Sequence, residues 1–144
     1  MKQIKLLIII FTILFLPNFT IPEDNLLNST FQKIKSVFLK NNYTSLESLF
    51  PKDRKIYIFI PTIIEKNGYF TAQQIHFILK DMEQNLITEK FNFDNYEPDT
   101  PNSNSTIIKA NWEFIKDKQS YSISLFFYLE KIDKQWKLLE IKIS

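Results

Sequence analysis

The sequence predicts an α+β fold in which helices cover one face of a curved antiparallel sheet. In the first half of the chain, apolar residues recur at intervals of three and four, as in amphipathic helices. In the second half they alternate with polar residues over four segments, as in strands with one buried face. Helical segments followed by a run of strands indicate an α+β layer arrangement.

Residues 1–20 have the composition of a secretory signal peptide. Lys2 and Lys5 precede an apolar run, residues 6–16, whose one polar residue is Thr12 and which stops at Pro17. A helix of that length spans about 16 Å, well short of a ~30 Å hydrocarbon core. We therefore predict an exported protein, periplasmic or extracellular. The alternative is an uncleaved N-terminal anchor, because small residues are missing near the expected cleavage site, and membrane contact is expected only through this segment.

Residues 21–144 are predicted to form a single domain. The chain has no cysteine, which excludes disulfides and thiolate chemistry. It carries 18 basic and 16 acidic residues, and the two surplus positive charges are Lys2 and Lys5 of the signal. The remaining chain is balanced in charge, so no nucleic-acid partner is expected. The bias towards Lys, Asn, Ile and Phe is typical of an AT-rich bacterial genome.

Two helices are predicted after the signal. The first presents an apolar face made of Leu27, Phe31, Ile34, Val37 and Phe38. The second is short, over residues 45–50, and ends at Pro51. Thr44 and Glu47 have the spacing of a capping box, in which each side chain would bond the other's backbone N–H.

Residues 55–64, KIYIFIPTII, predict a strand because β-branched and aromatic residues dominate them. Pro61 lies inside this run, which would place it at a sheet edge or a bulge. Residues 66–68 form a turn that contains the only glycine of the chain, Gly68.

A third helix is predicted from Thr71 onward. Thr71 and Gln74 have the spacing of a second capping box. The apolar stripe of this helix consists of Ala72, Ile75, Ile78, Leu79, Met82 and Leu86.

Four alternating segments, residues 87–96, 106–115, 121–131 and 135–144, predict a meander of strands. The side chains expected to face the helices are Ile87, Phe91, Phe93, Ile108, Ala110, Trp112, Phe114, Ile123, Leu125, Phe127 and Leu129. The same alternation places Thr88 on the opposite face. The inner face is therefore expected to carry no acid, base or hydroxyl.

The order of elements resembles the nuclear transport factor 2-like fold, also called the cystatin-like cone. More narrowly, residues 27–143 resemble the small exported bacterial proteins grouped as domain of unknown function 4783. The stretch Asn67-Gly68-Tyr69-Phe70-Thr71-Ala72-Gln73-Gln74-Ile75 carries the resemblance, together with Phe91, Phe93 and Trp112. The resemblance implies a curved sheet closed by about three helices, often hollow, and often paired with a second copy through the sheet.

Enzymes of this fold, such as ketosteroid isomerases, dehydratases and polyketide cyclases, place an acid or a histidine inside the cone. No residue-by-residue motif transfers their catalytic residues to this chain. If the cone is hollow, the residues expected to line it are Tyr57, Phe59, Phe91, Phe93, Trp112, Phe114 and Phe127.

His76, the only histidine, is the weak candidate for catalysis. On a helical wheel it lies about 100° from the centre of the Ile75/Leu79/Met82 stripe, at the border of the buried face. The simpler interpretation is a partly exposed histidine bonded to backbone or water. No spacing predicts a metal site or a phosphate loop, and no cofactor is expected.

Aromatic residues make up 15% of the chain, and some fall on the predicted outer face of the sheet. Phe126, Tyr128, Trp136 and Leu138 form the predicted outer patch, an interface for a homodimer or another partner. A one-residue slip of register in one strand would turn part of this patch inward.

Three functional hypotheses follow. The first is an exported, non-catalytic domain that binds a small apolar ligand or a protein partner. The second is a small enzyme of the ketosteroid isomerase or dehydratase type, using His76 or Tyr57 on a hydrophobic substrate. The third is an envelope-associated interaction protein whose cone is filled.

Overall fold

The computed structural model describes residues 23–94 and 103–144, with side chains from residue 26 onward. The predicted signal, residues 1–20, lies outside the described residues. The elements are α1 (Glu23–Leu39), a 3-10 helix (Tyr43–Leu49), β1 (Ile56–Phe59), β2 (Gly68–Phe70), α2 (Ala72–Asn85), β3 (Leu86–Phe93), β4 (Ser105–Lys116), β5 (Gln119–Ile132) and β6 (Gln135–Ile143).

Within the described residues the strands form one sheet in the order β2-β1-β6-β5-β4-β3. All neighbouring strands pair antiparallel except β1 and β6, which pair parallel. The helices pack on one face of this sheet, and a single hydrophobic core lies between the two layers. The predicted α+β class, with helices over a curved and mostly antiparallel sheet, is confirmed.

α1 buries the predicted apolar stripe, since Phe31, Ile34, Val37 and Phe38 belong to the core. Two backbone hydrogen bonds close its C-terminus: Asn42 N–H donates to the Val37 carbonyl at 3.0 Å, and Asn41 N–H to the Phe38 carbonyl at 3.1 Å. This pair of bonds is a Schellman motif, and Asn41 takes the left-handed position with φ 54°. Asparagine tolerates that conformation better than most residues.

The capping box predicted at Thr44 and Glu47 is wrong. The segment is a 3-10 helix without a side-chain cap at Asn42. Thr44 instead donates its N–H and its hydroxyl to Glu83 Oε1 on α2, both at 2.7 Å, and Glu47 accepts from His76. Thr44 and Glu47 therefore form tertiary hydrogen bonds to α2, and they do not cap their own helix.

The predicted strand over residues 55–64 is shorter in the structure, where β1 ends at Phe59. Pro61 follows the strand in an exposed turn, and β1 is an inner strand, so the predicted edge or bulge position is wrong. Asn67 holds this turn because its Oδ1 accepts from Ile60 N–H at 2.5 Å and its amide donates to the Ile64 carbonyl at 3.0 Å. Gly68 follows with φ 141°, a conformation that side chains rarely adopt.

α2 begins at the predicted capping box. Gln74 N–H donates to Thr71 Oγ1, and Thr71 N–H donates back to Gln74 Oε1 at 2.9 Å. Ile75, Leu79 and Met82 are the buried side chains of the helix. The prediction for this helix is confirmed, with Ala72 exposed at its first turn.

β3 contains a register shift that the alternation did not predict. Thr88 pairs with Phe114 and Lys90 with Glu113, so one extra residue lies between them. This bulge leaves Ile87 exposed and turns Thr88 towards the helices, which reverses the predicted faces of both residues. Phe91, beyond the bulge, faces the core as predicted.

A second register shift lies in the pairing of β5 with β6. Tyr128 pairs with Glu140 but Leu129 pairs with Leu138, so Leu139 is the extra residue. The predicted outer position of Trp136 and Leu138 is therefore wrong: both are core residues. One inserted residue reverses which face the side chains on one side of it occupy, and a pattern of alternating polarity does not reveal that reversal.

The two-residue turns Asp117-Lys118 and Asp133-Lys134 have positive φ at both positions, as in type I′ hairpins. Lysine is costly there, because its Cβ crowds the following carbonyl.

We expect Lys118→Gly to raise the free energy of unfolding by about 0.5–1 kcal/mol, since relief of strain exceeds the entropy added to the unfolded chain. Urea denaturation measures this change in the free energy of unfolding. Lys80→Gly on α2 is the matched control and should lower stability by about 1 kcal/mol. Equal losses in both variants would contradict the assigned strain.

Candidate functional site

The interior between helices and sheet is filled by aromatic rings. Phe91, Trp112, Phe114 and Phe127, which were predicted to line a cavity, are all buried, and Phe93 packs against them. Phe38 of α1 stands at the centre of these rings. Its ring centroid lies 4.3 Å from Phe91, 4.9 Å from Trp112 and 5.7 Å from Phe127. In the described parts of the chain, the cone is packed by side chains where a ligand would lie.

One polar network lies among these rings. Trp112 Nε1–H donates to Thr88 Oγ1 at 2.9 Å, and the Tyr43 hydroxyl lies 2.9 Å from the same oxygen. Asn41 Oδ1 accepts from Thr88 N–H at 2.7 Å and from the Tyr43 hydroxyl at 3.3 Å. Burial raises the pKa of Tyr43 to about 12. The network is therefore neutral near pH 7, and its geometry suits structural pairing of buried polar groups rather than proton transfer.

The expectation that the inner face carries no hydroxyl is wrong, because Thr88 brings one inward. The signal that could have revealed it is indirect. A buried tryptophan N–H and a buried tyrosine hydroxyl both need partners, and Trp112 was predicted on an inner face that offered it none. The sequence does not mark the bulge that turns this threonine.

Tyr57 and Phe59 do not line the cone. Tyr57 pairs with Glu140 and Phe59 with Lys142, and both side chains point to the face away from the helices. The inward positions of this strand belong to Ile56 and Ile58. β1 is apolar on both faces, so alternation of polarity could not tell them apart.

His76 lies on α2, half-exposed, with Nδ1 at 2.7 Å from Glu47 Oε1. Its ring also contacts Phe77, with centroids 5.6 Å apart. The pair ties the 3-10 helix to α2, as Thr44 and Glu83 do nearby. A catalytic triad consists of a nucleophile, a histidine and a carboxylate. Among the described residues, the contacts of the His76 ring include the carboxylate but no nucleophile. Tyr57 lies on the other side of the sheet, so the structure does not bring the two catalytic candidates together.

Among the described residues no group of three His, Asp or Glu side chains is arranged to hold a metal ion. None of the helices in the described ranges is long and apolar enough to cross a membrane.

The outer face of the sheet carries a run of apolar side chains. It forms two clusters, Tyr57, Phe59 and Tyr69 on β1 and β2, and Ile107, Phe126 and Tyr128 on β4 and β5, with Glu140 and Lys142 of β6 between them. Tyr57 and Tyr69 are in ring contact at 5.0 Å. Tyr69, Phe59 and Ile107 are 68%, 40% and 57% exposed. We call these six residues the outer patch of the structure; it keeps Phe126 and Tyr128 of the predicted patch and loses Trp136 and Leu138.

Charged residues of both signs surround the outer patch. On strands β3 to β6 the same face holds Lys90, Lys109, Glu113, Glu130, Glu140 and Lys142. Lys142 Nζ lies 3.4 Å from Glu140 Oε2 in the gap between the aromatic residues of β1 and β5. The face is therefore apolar in part and balanced in charge.

A second apolar surface lies at the end of the sheet near α2. Ile64, Phe70, Phe77 and Ile78 line an open groove of about 290 Å³ together with Lys66 and Gln74. Phe77 is 62% exposed there. This groove is separate from the outer patch, because α2 packs on the opposite side of the sheet.

No family model matches the chain. No curated protein matches it in sequence. Among solved structures it is similar to a nuclear transport factor 2-like protein of unknown function from Shewanella oneidensis, with TM-score 0.59 and 9% identity over 84% of this chain and 98% of that chain. A nuclear transport factor 2-like protein from Cytophaga hutchinsonii gives TM-score 0.58 and 12% identity over 84% and 96% of the two chains.

A domain of unknown function 4783 family protein from Bacteroides ovatus gives TM-score 0.58 and 12% identity over 77% of this chain and 90% of that chain. At such identities the likeness is one of fold. The chain has the nuclear transport factor 2-like fold, and the structures it is similar to include proteins of the domain of unknown function 4783 family.

Proposed function

We propose that the protein is an exported, non-catalytic interaction domain that pairs with a second copy of itself through the outer patch. The observation that carries this proposal is a pair of apolar clusters on the solvent side of the sheet, Tyr57, Phe59 and Tyr69 on one side of β6 and Ile107, Phe126 and Tyr128 on the other. Apolar surfaces of this kind on an otherwise polar face mark interaction sites. Aromatic side chains are also the residues that contribute most to binding at such sites.

The charges around the outer patch support a second copy as the occupant. A partner whose charge has one sign would bind best to a face of the opposite sign, but this face has three lysines and three glutamates on β3 to β6. In a twofold arrangement each copy presents the same patch to the other, so lysines of one copy can meet glutamates of the second. The resemblance to a fold that often pairs through its sheet points to the same occupant.

The packed interior supports interaction over the two other hypotheses. A small apolar ligand inside the cone would have to displace rings such as Phe38 and Trp112, whose centroids are 4.9 Å apart. An enzyme of this fold needs an ionisable group in the cone, whereas the buried polar network here consists of neutral groups. The export part of the proposal rests on Lys2, Lys5 and the apolar run at residues 6–16.

Sedimentation equilibrium of the purified protein tests the pairing. We expect a mass near twice that of one chain and at least a tenfold weaker dimer for Phe59→Arg, because this change places a charge in the patch beside Lys142. Phe77→Arg is the matched control, since it also replaces an exposed phenylalanine but lies in the groove on α2. Both variants should keep the wild-type circular dichroism spectrum, which shows that each is folded, and only Phe59→Arg should lose the stabilisation that pairing adds to the melting temperature.

Two outcomes would contradict the proposal. A wild-type protein that stays monomeric up to millimolar concentration would exclude pairing. Dissociation by Phe77→Arg, with Phe59→Arg unchanged, would move the interface to the groove.

A further inference from the structure

A small pocket of about 210 Å³ lies between the first turns of α1, the end of the 3-10 helix and the turn from β5 to β6. Its lining residues are Leu26, Ser29, Thr30, Lys33, Ser48, Leu49, Lys134, Gln135, Trp136 and Lys137. The pocket is distinct from the packed interior of the cone and from the outer patch. A cavity of roughly 150 Å³ holds one benzene-sized group, so this pocket is large enough for a small organic molecule.

Trp136, one of the residues that line this pocket, carries an unpaired donor. The residue is only 7% exposed, and its Nε1–H has no hydrogen-bond partner within the parts of the chain that the structure describes. The other tryptophan is different, because Trp112 Nε1–H donates to Thr88. Burying a donor without an acceptor destabilises the folded protein, and a fold retains such a donor rarely. An indole N–H can only donate, so the missing partner is an acceptor.

The charge of the pocket specifies what kind of acceptor fits. Lys33, Lys134 and Lys137 line it, and none of its described lining residues is acidic. Lys137 Nζ already donates to the Ser48 carbonyl at 3.4 Å, which holds its charge at the pocket wall. Lys131 adds a fourth positive charge, 5.5 Å from the centre of the Trp136 ring. These positive charges favour a negatively charged group as the acceptor for Trp136 Nε1–H.

We propose that this pocket binds a small organic carboxylate. One carboxylate oxygen accepts from Trp136 Nε1–H, the lysines neutralise the charge, and the apolar body of the ligand packs on Leu26, Leu49 and the indole. Phosphate fits less well, because the lining lacks the arginine fork or the cluster of backbone N–H groups that hold phosphate elsewhere, and it has no apolar part to cover the leucines. Reaching Nε1 requires a rim side chain to turn aside, and the exposed Lys33 and Lys134 can do so.

Proton–nitrogen NMR of the labelled protein tests this proposal, because two tryptophans give two indole signals. We expect sodium benzoate and sodium hexanoate to shift the Trp136 indole signal saturably, with the Trp112 signal unchanged as the internal control. Benzamide, which matches benzoate in shape without the charge, and inorganic phosphate should each bind at least tenfold more weakly. Trp136→Phe, which keeps the ring and removes the donor, assigns the signal.

Charge variants complete the test. Lys33→Gln and Lys137→Gln should each weaken benzoate binding threefold to tenfold, whereas Lys80→Gln on the exposed side of α2 should leave it unchanged. The proposal is overturned if no carboxylate shifts the Trp136 signal, if benzamide binds as well as benzoate, or if phosphate alone saturates the site. The outcome does not depend on whether the protein forms dimers, so it can fail while the proposed pairing holds.

Discussion

Replacing Phe38 by alanine should lower the free energy of unfolding by about 3–5 kcal/mol, the usual cost of removing a buried phenylalanine side chain. Phe38 is 1% exposed and contacts Tyr43, Phe91, Trp112 and Phe127. Phe91, Trp112 and Phe127 are held on strands of the sheet and cannot collapse into the space. The loss therefore includes the cost of an empty cavity as well as the lost burial. Chemical denaturation of the wild type and of Phe38→Ala measures this loss of stability.

The same variant tests whether the natural cone is filled. In Phe38→Ala the vacated volume is apolar and enclosed by rings, so it should accept benzene, as other engineered apolar cavities do. Bound benzene should raise the melting temperature of the variant, because a ligand that binds only the folded state stabilises it. The wild type, whose cavity is occupied by the Phe38 ring, should show no such rise.

Phe77→Ala is the control for size and chemistry, because it removes the same side chain at a 62% exposed position. Its stability should stay within about 0.5 kcal/mol of the wild type. A wild-type protein that benzene stabilises as strongly as the variant would show that the cone is hollow, and would restore the hypothesis of a ligand inside it.

The sequence predicted those parts of the fold that rest on local signals. The capping box of Thr71 and Gln74 fixes the start of α2 by two bonds within four residues. In β4 a polar residue follows each apolar one, so the buried positions of Ile108, Ala110 and Trp112 are visible in the sequence. Where one face of an element is clearly polar, periodicity predicts burial correctly.

The candidate site was less predictable because it depends on register between strands. One inserted residue, Leu139, brings Trp136 from the outer face into a pocket wall. β1 is apolar on both sides, so only its pairing with β6 shows that Tyr57 and Phe59 belong to the outer patch. Bulges and pairing are tertiary properties, and a single sequence has no local signal for either.

Replacing Thr88 by valine should lower the free energy of unfolding by about 2–3 kcal/mol, although the two side chains have nearly the same shape. Valine removes the oxygen that accepts from Trp112 Nε1–H and that also pairs with the Tyr43 hydroxyl, which keeps its contact with Asn41 Oδ1. Trp112 is fully buried, so water cannot replace the lost bond without opening the core.

Thr88→Ser separates the hydroxyl from the methyl group. Serine keeps the oxygen and removes one buried methyl, so its loss should be about 1 kcal/mol, smaller than that of valine. If the fold depended on the shape of this residue alone, the order would be reversed and valine would be the milder change. Urea denaturation gives the two free energies, and the Trp112 indole proton signal should move in Thr88→Val and stay near its original position in Thr88→Ser. The bulge in β3 therefore stabilises the fold by delivering one hydroxyl to two buried aromatic side chains, and the ordering of these two variants measures that contribution.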